Sequence, residues 1–259
     1  MTTWQALLLG LIQGITEFLP VSSSGHLALS QHLLGFDNLQ DYILFDLVCH
    51  LGTLVAIFYF FFPVIKENFN IRSKQFWAIV LGTLPLFPLV LFLKPIKALF
   101  DEPLFLGPCF IFSSFLLFAG IYLRTPSFMQ KREQWKDALI IGVFQAIAIL
   151  PGISRSGATI SAANFLGWQK QQAITFSFLL AIPAIIGGVT LEIWKIWSAS
   201  AVIMPAIDPL TYLIGFLTSC IVGVLSLILL IRAATHNKWH YFAWYCLLLG
   251  IITTLYFNL

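Results

Sequence analysis

Charge is what this chain lacks most. Lys, Arg, Asp and Glu together make up 10% of its 259 residues, against about 25% in an ordinary soluble domain. Hydrophobic residues make up 59%. A water-soluble fold cannot hide that much apolar surface, so lipid must act as solvent for much of the chain. Cysteine is equally thin. Cys49, Cys109, Cys220 and Cys246 stand singly in apolar stretches. They form no CxxC and no Cys/His metal spacing, and read as four small buried hydrophobes. No Lys or Arg precedes the first apolar run, and Gln13 and Glu17 interrupt it. With no basic leader and no small-residue cleavage site, the segment is expected to stay in the mature protein. The net charge of +3 is small, and no nucleic-acid partner is expected.

What is present is long apolar runs. A bilayer core takes about 20 apolar residues per helix. Six stretches qualify, roughly 42–62, 76–93, 104–123, 172–194, 210–231 and 240–258. Residues 4–35 and 136–167 are also apolar, but Pro, Ser and Gly break each in the middle. Each half is too short to span. Irregular backbone at membrane depth is tolerated only where protein buries it or water reaches it. Both segments are therefore expected to be re-entrant hairpins. Charge placement supports this. If both hairpins return to the side they entered from, one face receives Lys66, Arg72, Lys74, Arg124, Lys131, Arg132, Lys136, Lys170, Arg232 and Lys238. The other receives only Lys94, Lys97 and Lys195. The positive-inside rule makes the first face cytoplasmic and puts the first hairpin on the outer side.

The chain also matches itself at an offset of 132. Gly10 falls on Gly142, Gln13 on Gln145, Ser22 on Ser154, Ser24 on Ser156, Gly25 on Gly157, and Leu34-Gly35 on Leu166-Gly167. Each unit holds one hairpin and three spans, repeat one over about 1–125 and repeat two over about 133–259. An odd number of spans inverts the second unit. The expected fold is a single membrane domain, 1–259, all-α, with six transmembrane helices and two re-entrant helical hairpins in inverted-topology repeats. Such repeats place their sites near the midplane, where the units meet. Trp4, Trp77, Trp135, Trp168, Trp194 and Trp239 lie near span ends and are expected in an interfacial belt.

Two polar clusters sit in the breaks. The first runs from Gln13 through Glu17, Pro20, Ser22, Ser23, Ser24 and Gly25 to His26. Gln13 and Glu17 share a helix face, Pro20 ends that helix, and His26 opens the next. The second is Pro151-Gly-Ile-Ser154-Arg155-Ser156-Gly157-Ala-Thr159. Arg155 is a basic residue inside an embedded segment, which makes it a functional candidate by default. Ser154 and Ser156 suit an N-cap, and a helix N-terminus beside a guanidinium is an anion site. Together the clusters hold parts for phosphoryl transfer. Ser23 or a neighbouring serine supplies a nucleophile, and His26 or Glu17 a proton acceptor. Arg155 stabilises phosphate charge, and Glu17 with Gln13 is a candidate divalent-cation ligand pair. Plainer readings stand beside these: a serine turn, a core histidine, and Glu17 as a structural partner of Arg155. Asp46 and His50, four apart on the first span, are candidates for supporting roles. A transporter or flippase for a lipid carrier or an anion would use the same architecture.

The runs QGITEFLPVSSSGH (13–26) and PGISRSGAT (151–159), with FSFLLAIPAIIGG (176–188), resemble the undecaprenyl-diphosphate phosphatase family, the bacitracin-resistance phosphatases. The resemblance covers nearly the whole chain. It implies hydrolysis of undecaprenyl diphosphate to the monophosphate that carries cell-wall precursors, in the bacterial cytoplasmic membrane. It implies competition with bacitracin for that substrate, and stimulation by Mg²⁺ or Ca²⁺. It implies catalytic roles for Glu17, Ser23, His26 and Arg155, with Ser22, Ser24, Gly25, Ser154, Ser156, Gly157 and Thr159 around the diphosphate. The family's first acidic position is Gln13 here, which is neutral, so a two-carboxylate cation site is in doubt. A covalent phosphoserine and direct attack by water both remain open, and so does a homodimer. The assigned orientation predicts that Asn38→Cys is labelled by an impermeant thiol reagent in intact spheroplasts. Protection until lysis would contradict it.

Overall fold

In a computed structural model, residues 1–68, 70–123, 135–198, 207–235 and 238–258 are described. Arg124, Lys131 and Arg132, counted above, and the boundary between the units lie outside them. The described residues form helices and no strands. In chain order these are α1 (Thr3–Thr16), α2 (Ser23–Leu33), α3 (Ile43–Asn68), α4 (Lys74–Thr83), α5 (Leu93–Asp101), α6 (Leu106–Tyr122), α7 (Trp135–Ile147), α8 (Arg155–Phe165), α9 (Lys170–Ser198), α10 (Pro209–Thr235) and α11 (Trp239–Asn258). Six segments are long and apolar enough to cross a membrane: Leu39–Glu67, Lys74–Phe92, Pro103–Tyr122, Lys170–Lys195, Pro209–Ala234 and Trp239–Asn258. They are the six stretches expected from the sequence, and the protein is a multi-pass membrane protein.

The second segment is not one α-helix. α4 ends at Thr83, and tighter 3-10 turns run from Leu84 to Phe92. Pro85 and Pro88 explain the change, since each removes an N–H and its ring crowds the preceding turn. The short helix α5 that follows was not foreseen.

The two broken segments each hold a pair of short helices, α1 with α2 and α7 with α8. They have 14, 11, 13 and 11 residues. At 1.5 Å per residue each is about 16–21 Å long, against roughly 30 Å of hydrocarbon core. Equivalent local geometry recurs at the 132-residue offset. Ser22 Oγ accepts from the Gly25 N–H at 3.3 Å and Ser154 Oγ from the Gly157 N–H at 3.1 Å, so both second helices start from a serine cap. Both end in one motif. Gly35 and Gly167 have φ of 76° and 83°. The next amides, of Phe36 and Trp168, each donate 3.0 Å to the carbonyls of Gln31 and Ala163. That six-to-one bond over a left-handed glycine caps the last turn. Packing between the units also exchanges under the offset: α1 lies on α10 and α7 on α4, while α6 pairs with α11 and α3 with α9.

The two breaks meet. A Cβ on Gly25 would collide with the backbone of Gly152 and the ring of Phe110, so only glycine allows this approach. Ser156 Oγ donates to the Leu19 carbonyl at 3.3 Å, tying the second break to the first. Beside them runs an aromatic core, with Phe18 edge-on to Phe178 at 5.5 Å and Phe61 stacked on Phe178 at 5.7 Å.

Two sequence expectations need correction. Trp4, Trp77, Trp135 and Trp194 are exposed, as a belt requires, but Trp168 is fully buried and Trp239 nearly so. Trp168 Nε1 donates to Asp137 Oδ2 at 2.9 Å, and this buried acceptor holds the indole inside. Among the cysteines, Cys49 and Cys246 are buried, whereas Cys109 and Cys220 are only partly so.

Candidate active site

Glu17 lies just past the end of α1, where Pro20 stops the helix, and is 5% exposed. Four side chains converge on its carboxylate. Gln13 Nε2, one helical turn back, donates to Oε2 at 2.9 Å. Ser23 Oγ, the first residue of α2, donates to the same oxygen at 2.6 Å. Arg155 Nη2, from the first residue of α8, donates to Oε1 at 2.5 Å. His50 Nε2, on α3, stands 3.6 Å from Oε2. The carboxylate thus joins three separated parts of the chain. The ion pair between Glu17 and Arg155 is present, yet it does not exhaust the arginine. Arg155 Nη1 is buried with no hydrogen-bond partner among the described residues. A buried charged donor is costly to leave unpaired.

These groups line a cavity of about 270 Å³. Its wall includes Glu17, Ser22, Ser23, Ser24, His50, Gln145, Ser154 and Arg155. The N-terminal ends of α2 and α8 therefore open onto one space. Helix N-termini carry positive dipole ends and attract anions. Ser22 is the one non-glycine residue with positive φ among those described, at 70°. Such a conformation is strained in a β-substituted residue and is held by its surroundings. Here it turns the chain so that Ser23 starts α2 beneath Glu17. A second, more apolar cavity of about 250 Å³ adjoins the first, sharing Ser24, Leu47, His50, Ile149 and Gly188. Leu27, Ala28, Ile43, Phe100 and Leu191 extend its walls.

Other expected site residues fall elsewhere. His26 does not reach Ser23. Its Nδ1 lies 2.7 Å from the Ser22 carbonyl and its Nε2 lies 2.7 Å from the Tyr245 hydroxyl. The ring also stacks on Tyr245, with planes 7° apart, and meets Phe110 edge-on. A carbonyl only accepts, so Nδ1 carries the proton and the imidazole braces α2 against α11. His50 is the imidazole that faces the carboxylate. Its Nδ1 donates 2.7 Å to the Asp46 carbonyl, which leaves Nε2 toward Glu17. The four-residue spacing of Asp46 and His50 was the signal in the sequence, but nothing there gave the ring's direction. Asp46 Oδ1 accepts from Gln31 Nε2 at 2.8 Å and lines the apolar cavity rather than the polar one. Ser154 and Gly157 form the α8 cap described above. Ser156 is bound to Leu19, and Thr159 Oγ1 lies 2.6 Å from Ser177 Oγ. Ser24 lies 3.5 Å from Ser22, and Gly25 is the contact point of the two breaks. Tyr245 and Ser177 were not foreseen, since distant helices supply them.

The Gln13 and Glu17 pair does not fit a protein-held cation. Both carboxylate oxygens already accept from cationic or hydroxyl donors, and a guanidinium sits on one of them. Within the pair, Gln13 Oε1 is the oxygen with no hydrogen-bond partner among the described residues. No cluster of three His, Cys, Asp or Glu side chains suited to a metal occurs among the described residues. Hard cations need several oxygen ligands.

Six apolar crossings with an acid, a hydroxyl and a guanidinium gathered at one cavity define a multi-pass membrane protein with a polar pocket among its helices. The comparisons with known proteins agree. Residues 6–252 match the family of bacitracin resistance protein BacA, and the chain belongs to that family. It is 60% identical to an undecaprenyl-diphosphatase of Protochlamydia amoebophila over the full length of both. It is 37% identical to proteins of the same name from Methanosphaera stadtmanae, covering 96% of this chain and 95% of the relative, and from Alkaliphilus metalliredigens, covering 99% of each.

The geometry predicts a stability result. Arg155→Met strands the Glu17 carboxylate and should cost about 3–5 kcal/mol, read as a lower melting temperature in detergent. Glu17→Gln combined with Arg155→Met should recover much of that loss. An undiminished melting temperature for the single variant would contradict the buried pairing.

Proposed function

We propose that the protein hydrolyses undecaprenyl diphosphate to undecaprenyl phosphate and inorganic phosphate. The observation that carries this is the convergence of Ser23 Oγ and Arg155 on the two oxygens of Glu17, at the wall of a cavity where two helix N-termini meet. The full-length kinship with undecaprenyl-diphosphatases supports the same reading. The adjoining apolar cavity suits the prenyl segment next to the diphosphate. A purely polar anion would have no use for it.

The chemistry follows from the contacts. Ser23 Oγ attacks the terminal phosphorus while its proton passes to Glu17 Oε2, 2.6 Å away. The bridging P–O bond breaks and its electron pair leaves with the lipid monophosphate, which takes the proton from Glu17. Water then opens the Ser23–phosphate bond, with Glu17 accepting its proton and returning one to Ser23. Arg155 and the amides at the start of α8 hold the negative charge that spreads over the phosphate oxygens. His50 Nε2 flanks the Glu17 carboxylate at 3.6 Å. His26 sets the start of α2. A Mg²⁺ or Ca²⁺ ion would be held by the substrate's phosphates rather than by Gln13 and Glu17, and would supply charge neutralisation there.

Placement completes the proposal. The paired short helices are read as re-entrant hairpins in two inverted units, in the bacterial cytoplasmic membrane, with the cavity opening to the outer side. Recycling the carrier there also withdraws the diphosphate that bacitracin sequesters.

Phosphate release from a C15 or C55 prenyl diphosphate tests the proposal, using purified wild type and Ser23→Ala in detergent. Release by wild type should collapse in the variant by two or more orders of magnitude, since loss of the attacking group removes the covalent route. Release that survives would leave the phosphatase standing and move the attack to water. No release from wild type would turn the reading to transport.

A further inference from the structure

Among the described residues Gln145 has no hydrogen-bond partner for its side chain, whereas its counterpart has one. It lies on α7 at the position equivalent to Gln13 on α1, since 13 plus 132 is 145. In the first unit, Gln13 Nε2 is held by Glu17 at 2.9 Å. In the second unit, Ile149 stands where Glu17 would be. Gln145 is 2% exposed, and neither its Nε2 nor its Oε1 has a hydrogen-bond partner among the described residues. An amide buried this way costs free energy that an apolar residue of similar shape would not. The side chain lines the same cavity as Ser23, Glu17 and Arg155. Arg155, whose Nη1 is likewise buried and unpartnered among the described residues, lines that cavity too. Two residues with orphaned donors, one neutral and one cationic, thus line one cavity, and a phosphate oxygen is an acceptor of the kind both lack.

We infer that Gln145 is a substrate-positioning residue, whose Nε2 donates to a phosphate oxygen of the bound diphosphate beside Arg155 Nη1. The inference rests on the phosphatase reading and deepens it. It assigns the second unit a binding role that Gln13 cannot share, because Glu17 already occupies the Gln13 amide. It also gives the duplication a use. One copy of the glutamine orients the base, and the other, freed by Ile149, receives the ligand.

The experiment compares wild type, Gln145→Leu and Gln145→Glu in detergent. It reads melting temperature without ligand, affinity for inorganic pyrophosphate by titration calorimetry, and steady-state turnover of a prenyl diphosphate. Gln145→Leu should melt no lower than wild type, because it removes two unpaired polar atoms. It should bind pyrophosphate about 10- to 100-fold more weakly, as expected for a lost hydrogen bond to a charged group. KM should rise by a similar factor, with kcat changed less. Gln145→Glu keeps the length but adds negative charge, and should weaken pyrophosphate binding at least as much. This arm decides the matter if the leucine variant fails to fold. A lower melting temperature with unchanged pyrophosphate affinity would make Gln145 a structural residue and overturn the inference. Wild-type turnover with an unaffected Gln145→Leu variant would overturn it while leaving the phosphatase intact. If wild type released no phosphate yet lost pyrophosphate binding on Gln145→Leu, the anion-binding role would stand and the phosphatase reading would fall.

Discussion

A carboxylate and a guanidinium held away from water constrain everything around them. Glu17 and Arg155 are 138 residues apart in the chain and meet at 2.5 Å. Neither charge is tolerable at that depth alone. Each therefore commits its own break in the chain to the other, and the hydrogen bonds from Gln13 and Ser23 fill the remaining capacity of the carboxylate. The close approach at Gly25 and Gly152, and the bond from Ser156 to Leu19, are what this meeting demands of the backbone. The strained Ser22 is part of the same demand.

Under the 132-residue offset the scaffold repeats its local geometry but not its polar cluster. Serine caps, left-handed glycines and exchanged helix pairings recur at one offset. The reacting positions do not. Ser23 and Arg155 hold the same place in the two units, the first residue of the second short helix, and both reach Glu17. A serine and an arginine thus occupy equivalent positions around a single acid. Ile149 stands at the position where a second acid would be. One carboxylate shared between two different donors is an arrangement that repeats of identical chemistry could not produce.

The sequence made some of this legible and hid the rest. The six crossings were plain because hydropathy is a local property, and the two breaks because Pro, Ser and Gly interrupt it. Glu17, Ser23 and Arg155 stood out as candidates from charge and hydroxyls in apolar surroundings, and the structure brings the three together. The direction of a ring was not. His26 stands three residues from Ser23 and points to Tyr245, 219 residues away. His50 sits on another helix and faces Glu17. Helix packing sets both outcomes, and no spacing along the chain encodes it. Trp168 misled for a similar reason, because Asp137 reaches it only once α7 and α8 are folded together. The 3-10 run after Thr83 was readable in Pro85 and Pro88, but apolarity masked it.

The central claim is that Glu17 serves both the Ser23 hydroxyl and the Arg155 guanidinium, as base and as anchor. Turnover of a prenyl diphosphate by folded Glu17→Gln protein, quantified against wild type, tests it most directly. A glutamine keeps the shape and can still hydrogen-bond, but it cannot accept the serine proton. The account predicts a fall in kcat on the order of 10²–10⁴, the usual span for loss of a general base. Turnover within a few-fold of wild type would contradict it.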